Sequence, residues 1–288
     1  MSREGNILRN DKKRSRMRTV GLGKYSVAIA SASLAIWGLI NAHSAWHSLP
    51  AWVPWREGWI YGSSLVVLAA SAGLCLPRTA LPGALTIGVY QAVSAALFVP
   101  LIISQPLSIG AWYPLCEALT ALAGAWILYA LLQRQSPGPG TAIASEGAVR
   151  TAQILFGLTC VFYGWSHFLY AGYTASLVPA WLPGRLPLAY FTGLCHIAAG
   201  LAIIVGILPG MAATLEAVMM GLFGLLVWAP TFFAQPTPKW ATPPAHQWGE
   251  FVVNLVLAAS AWIVAISFDK VVARVAGHEG NLNSRTVA

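Results

Sequence analysis

Long apolar runs, separated by short polar or proline-rich segments, dominate the pattern of this chain. Each run has about 20 residues, the length with which a helix rising about 1.5 Å per residue crosses about 30 Å of hydrocarbon. The pattern therefore predicts an all-α membrane protein. Its eight predicted transmembrane helices lie near residues 25–42, 58–76, 84–104, 113–132, 151–170, 187–207, 211–233 and 248–268.

The composition agrees with this pattern. Charged residues make up 9% of the chain and hydrophobic residues 57%, whereas soluble domains average about 25% and about 45–50%. Such a chain cannot cover itself with a charged, water-facing surface. The sequence also contains no phosphate-binding glycine loop, nucleophile elbow or HExxH motif, which excludes the common soluble enzyme classes.

Three polar segments lie outside the apolar runs. Residues 1–24 carry eight Lys and Arg and are predicted to form a disordered cytoplasmic tail, with anionic lipid headgroups rather than nucleic acid as partner. Residues 133–150 are rich in Gly, Pro and Ser and are typical of a cytoplasmic linker. Residues 269–288 form a second cytoplasmic tail.

An internal repeat divides the apolar runs into two sets of four. PAWVP at 50–54 recurs as PAWLP at 179–183. Trp112 and the segment AWI at 125–127 recur as Trp248 and AWI at 261–263 in the eighth run. We therefore predict two four-helix bundles, residues 25–132 and 151–268. Four is an even number of crossings, so both bundles enter the membrane in the same direction, as parallel repeats do.

The second bundle also carries a family resemblance, in the segments GWSHFLYAG, VPAWLPGRLPLAYFTGLCHIAAGLAIIVG and HQWGE. In these segments, and more weakly in the first bundle, the chain resembles the DoxX-like family of four-helix bacterial membrane proteins. Some members are named as subunits of quinone-linked oxidoreductases. The resemblance implies a bacterial inner-membrane protein with a redox partner subunit. Many members carry an acidic residue where this chain has His196.

Ionisable side chains inside a bilayer are costly and mark functional sites. His167 lies near the outer end of the fifth predicted span, His196 inside the sixth and Glu250 at the outer end of the eighth. Histidine titrates near neutral pH, so these three residues are candidates to accept protons from a quinol. The alternative is structural, with His196 and Glu250 forming a hydrogen-bonded pair that holds two helices together.

The faces of these helices supply candidate contacts for a quinone. Helical spacing places Tyr163 beside His167, Gly193 and Gly200 beside His196, and Asn254 beside Glu250, while Trp248 opens the last span. These residues predict a lipid-accessible pocket in the outer half of the second bundle. Haem ligation by His167 and His196 is a weaker alternative, because nothing else in the sequence indicates haem.

A different class of function also fits. The chain could be a non-catalytic scaffold or a small-molecule transporter, and a transporter would have a polar path from His196 towards Glu216. The sequence otherwise predicts that Glu216 lies near the inner interface, capping a helix or extending its carboxylate to water.

No metal site is predicted. His43 and His47 have a spacing that suits a metal on a helix, but their place beside Trp46 at the end of a span is typical of interface residues. The four cysteines lie in or beside apolar runs without a CxxC pair, so they are predicted to pack as small hydrophobic residues.

The distribution of basic residues predicts the topology. With eight spans and the N-terminus inside, fourteen of the 17 Lys and Arg lie on the inner side and three on the outer side, and basic residues favour the cytoplasm. Reporter fusions at Gly138 and Gly277 should therefore both report a cytoplasmic location. Fusions that report opposite sides would contradict the predicted number of crossings.

Overall fold

The computed structural model describes residues 3–45, 49–136, 141–233 and 244–268, and every regular element in these ranges is helical. Eight of its helices are long and apolar enough to cross a membrane. The predicted number of spans is confirmed, and the chain has the architecture of a polytopic membrane protein. The predicted tail at 269–288 and His47 lie outside the described residues.

The first half of the chain forms four of these helices. Helix α1 includes the apolar segment Thr19–Ile40, and a short α2 follows it. The bounds are α1 Arg3–Ile40, α2 Ala42–Ala45, α3 Arg56–Cys75, α4 Ala80–Ser104 and α5 Ile109–Gln133.

The second half adds four more spanning helices and several short turns. A 3₁₀ turn, Ala142–Ala144, precedes it, and a π-helical segment followed by a 3₁₀ turn interrupts its third span. The bounds are α6 Glu146–Leu169, α7 Ala171–Leu177, α8 Arg185–Val205, α9 Pro209–Phe223, the π segment Gly224–Trp228, the 3₁₀ turn Ala229–Phe232 and α10 Pro244–Ser267.

Two predicted polar segments are more ordered than expected. Residues 3–24, predicted to be disordered, belong to α1, because extending an existing helix avoids the unfavourable nucleation step. The end of the predicted linker also joins a helix, since α6 starts at Glu146 instead of 151. The Ser145 hydroxyl accepts a hydrogen bond from the Ala148 amide at 3.2 Å, which caps that helix.

Neighbouring helices in the chain pack against one another within each half. Helices α1, α3, α4 and α5 pack in this order, and so do α6, α8, α9 and α10. Helices α5 and α10 also contact each other, and they join the halves through α6 and α1. They are the most enclosed spans, 67% and 61% buried against 28–50% for the other six. One hydrophobic core therefore runs through both halves.

Three residues that precede spanning helices have left-handed backbone conformations, and one of them is Leu208, before α9, with φ 47°. Gly184 precedes α8 with φ 66°, and Trp55 precedes α3 with φ 49°. Glycine adopts this conformation without steric cost, whereas a residue with a β-carbon loses about 1–2 kcal/mol. The Trp55 side chain is 91% exposed to the surroundings of the protein, so it gains little packing within the chain in return.

We expect substitutions at Gly184 and Trp55 to have opposite effects on stability. Gly184→Ala should lower the free energy of unfolding by about 1 kcal/mol, and Trp55→Gly should raise it by a similar amount. Denaturation in mild detergent, followed by circular dichroism, measures both. Gly62→Ala is the control for adding a β-carbon without backbone strain, because Gly62 lies within α3 and a β-carbon there would meet no atom within 4 Å. If Trp55→Gly instead lowers the free energy of unfolding, contacts of the exposed ring with its surroundings stabilise the protein by more than the left-handed backbone costs.

Candidate functional site

A buried histidine and glutamate form a hydrogen-bonded pair between α8 and α9. The Nδ1 atom of His196 lies 2.7 Å from Oε1 of Glu216, and both side chains are 1% exposed. The two groups can therefore share one proton, as an ion pair or as a neutral pair. The second carboxylate oxygen, Oε2, is buried without a hydrogen-bond partner in the part of the chain that the structure describes.

This pair corrects two expectations. Glu216 does not lie at the inner interface, and the partner of His196 is Glu216 instead of Glu250. The geometry of the helical hairpin explains the pair. His196 lies nine residues before the end of α8 and Glu216 seven residues after the start of α9, so their distances from the turn are about 13 Å and about 10 Å.

His167 extends the cluster along α6. Its ring contacts the ring of His196 edge to face, with centroids 5.2 Å apart. Its Nδ1 atom lies 3.0 Å from the Thr192 hydroxyl and 3.2 Å from the carbonyl oxygen of Ala189, both on α8. The carbonyl can only accept, so these contacts favour a proton on Nδ1. Two of the three predicted catalytic residues are thus in direct contact.

An aromatic residue at the end of α9 closes this cluster. The ring of Phe223 is stacked on His167 at 6.1 Å and lies 5.8 Å from the ring of His196. The π-helical segment Gly224–Trp228 follows immediately, and Pro230 lies just after it. Proline supplies no backbone N–H, and single π turns are frequent at functional sites. No pattern in the sequence predicted this irregular turn.

A group of hydroxyls joins the cluster to α5. The Tyr163 hydroxyl lies 3.0 Å from Oγ1 of Thr120, and Thr120 donates to Thr159 at 2.8 Å. The ring of Tyr163 lies 6.1 Å from that of His196. The predicted neighbourhood of Tyr163 is therefore completed by a side chain from the first half of the chain.

Gly193 and Gly200 bring helices together and leave no space beside them. A β-carbon at Gly193 would lie 2.7 Å from Cβ of His167, and one at Gly200 would lie 2.5 Å from the carbonyl oxygen of Gly157. Both distances are far below van der Waals contact. These two glycines are therefore occupied by close helix packing instead of by the ligand contact that the sequence predicts.

Glu250 interacts with a different set of residues. Its carboxylate lies near enough to Glu117 and to Tyr173 to act on both electrostatically. Partial burial, and then the charge of Glu250, raises the pKa of the Tyr173 phenol. Asn254 donates to the backbone carbonyl of Glu250 at 3.0 Å, and Trp248 is 46% exposed. The predicted site residues on α10 thus form a second polar group beside α5.

The geometry does not fit haem or metal ligation. In a bis-histidine haem the macrocycle lies between the two imidazoles, whereas the rings of His167 and His196 contact each other directly. Among the described residues, no group of three or more His, Cys, Asp and Glu is arranged to hold a metal ion. His43 instead pairs with Glu57 at 2.8 Å on the surface. The four cysteines are free, and the thiol of Cys160 lies beside Glu216.

This arrangement can hold a proton in the middle of the membrane-spanning region and exchange it between a histidine and a carboxylate. No family model, no curated protein and no solved structure matches the chain.

Proposed function

We propose that the chain is a tandem duplication of one four-helix unit, a first unit at 25–132 and a second at 151–268. The buried positions of α3 and α8 support this proposal. Each buried residue of α8 has a buried residue of α3 located 129 positions earlier in the chain. These pairs are Ile60 and Ala189, Ser64 and Gly193, Val67 and His196, Ser71 and Gly200, and Leu74 and Ile203.

The third helix of each unit follows the same rule. Each of the buried residues Ala212, Ala213, Glu216 and Met220 in α9 has a buried counterpart in α4 at the offset of 129. Contacts between helices repeat as well. Gly38 meets Ser64 between α1 and α3, and 129 residues later His167 meets Gly193 between α6 and α8. Both observations favour units that stand parallel.

Within this duplication, one pair of core positions is ionisable in the second unit and apolar in the first. Val67 and Ile87 occupy the positions that His196 and Glu216 occupy in the second unit, and all four are buried. We propose that His196 and Glu216 hold and transfer a proton, with His167 connecting them to the end of α6. The observation that supports this function most directly is a buried titratable pair at two positions that are apolar in the first unit.

The leading reaction is the transfer of electrons and protons between quinol and a redox partner subunit. In this proposal the quinol headgroup contacts the half-buried His167 from the lipid, because the side chains of His196 and Glu216 are fully buried. Oxidation of one quinol releases two electrons, which the partner subunit accepts, and two protons, which the histidines receive in turn. The resemblance to the DoxX-like family supports the choice of a quinone. His167 and the polar groups that it contacts would bind the quinol headgroup.

Transport of a small molecule coupled to protons is the second candidate. The direct bond between His196 and Glu216 favours it, because a path from one to the other is what a transporter needs. We further propose a bacterial inner-membrane location with both termini in the cytoplasm, where the basic residues of the first 24 positions bind anionic lipid headgroups.

The paired substitution copies the first unit into the second. Either single variant, His196→Val or Glu216→Ile, should lower the free energy of unfolding by about 3–5 kcal/mol, because it leaves one buried partner alone. The double variant should recover most of that loss, since apolar residues of suitable volume often replace a buried pair without cost. Detergent unfolding of the four proteins measures the coupling. Additive effects would contradict a paired role.

The same double variant tests the function. Protein reconstituted into liposomes with a reduced quinol analogue, an artificial electron acceptor and a pH-sensitive dye should oxidise the quinol and release protons. The variant His196→Val/Glu216→Ile should lose this activity while remaining folded. Gln153→Leu, which changes another buried polar residue of the second unit, serves as the control and should remain active.

Three other outcomes separate the candidates. Proton movement that needs no quinol and disappears in the double variant would favour the transporter. Quinol oxidation that persists in the double variant would exclude a role for the pair in redox chemistry. An intact double variant with no measurable change in any assay would favour a non-catalytic scaffold.

A further inference from the structure

A small cavity lies between α1, α4 and α5 of the first unit and α10 of the second. Its volume is about 10 Å³. Three polar side chains line it, Ser31, Gln91 and Ser260, and the remaining lining consists of valine, isoleucine and alanine. All three polar residues are more than nine-tenths buried, with exposed fractions of 3%, 6% and 3%.

The amide of Gln91 has unused hydrogen-bonding capacity. A glutamine side chain offers two N–H donors and one carbonyl acceptor, and no hydrogen bond joins it to another residue in the described ranges. Ser260 donates its proton to the carbonyl of Val256 at 2.8 Å, so its oxygen can still accept. Buried polar groups without partners are costly, and an internal water is the usual way of satisfying them.

We propose that this cavity binds one water molecule, held by Gln91 with Ser31 and Ser260. A single water needs about 10–15 Å³ of such space and two to four polar partners, and the cavity meets both conditions. It is far too small for a quinone. No carboxylate or histidine lines it, so it offers no charge to hold a cation.

The position of the cavity gives this water a place in the duplication. Ser31, Ile87 and Gln91 lie 129 residues before Cys160, Glu216 and Met220. The water thus occupies in the first unit the region that the Glu216 carboxylate occupies in the second. This comparison rests on the proposed duplication, whereas the cavity and its polar lining do not.

Radiolytic hydroxyl labelling of the full chain in lipid nanodiscs tests the proposal. Bound water becomes a radical source where bulk water does not reach, and mass spectrometry locates the oxidised side chains. Val27, Ile87 and Val256 line the cavity and are only 6%, 2% and 7% exposed. They should be oxidised several-fold faster than Ile127 and Ile263, which are fully buried elsewhere in the core.

Gln91→Leu should reduce the oxidation of the three lining residues to the level of Ile127. Gln153→Leu, the same chemical change in the second unit, should leave it unchanged. Oxidation of the lining residues at the level of Ile127 in the unsubstituted protein would overturn the proposal, and so would oxidation that persists in Gln91→Leu. The first comparison needs no variant, so it decides the question even if Gln91→Leu does not fold. Neither result depends on whether His196 and Glu216 transfer protons.

Discussion

Water is absent from the hydrocarbon region of a membrane, so each polar group that a spanning chain buries must find its partner inside the protein. Most serine and threonine hydroxyls here meet this constraint within their own helix, as Ser71 does by bonding to the carbonyl of Val67. Arg150 meets it at a helix end, where its guanidinium donates to the carbonyls of Ile203 and Ile204. The constraint leaves few polar groups over. Among the described residues they include the His196–Glu216 pair between α8 and α9 and the Gln91 amide in the cavity between α1, α4, α5 and α10.

Close packing supplies the contacts that hold these helices in place. A β-carbon at Gly124 would lie 2.7 Å from Cα of Ser260, so α5 and α10 can approach only because one side chain is missing. Gly157 and Gly200 do the same for α6 and α8. Since lipid tails are as apolar as the helix surfaces, packing of this kind takes the place of the hydrophobic effect in joining helices. It also fixes the distance at which His167 meets His196.

The number, order and approximate bounds of the spans could be predicted from the sequence, because a run of about 20 apolar residues has few alternatives in a membrane protein. The sequence groups His167 and His196 in one candidate site, and the structure brings their rings into contact. The bond between His196 and Glu216 could not be predicted in this way, because counting His196 from the outer end of its span and Glu216 from the inner end hides their similar distance from the turn that joins α8 and α9. The left-handed backbone of Trp55 and the π segment after Phe223 are not predicted by the hydrophobic pattern, although Pro230, which supplies no backbone N–H, follows the π segment.

A purely structural role for the buried pair is hard to reconcile with its energetics. Removing two ionisable groups from water costs several kcal/mol each, and their attraction repays this only when the remaining polar atoms are satisfied as well. Oε2 of Glu216 is not satisfied within the described residues. In the proposed duplication, Val67 and Ile87 occupy the same two positions without an ionisable group. Stability alone would favour the apolar solution, so the reason for a histidine and a glutamate at these positions has to be sought in the proton that they can share.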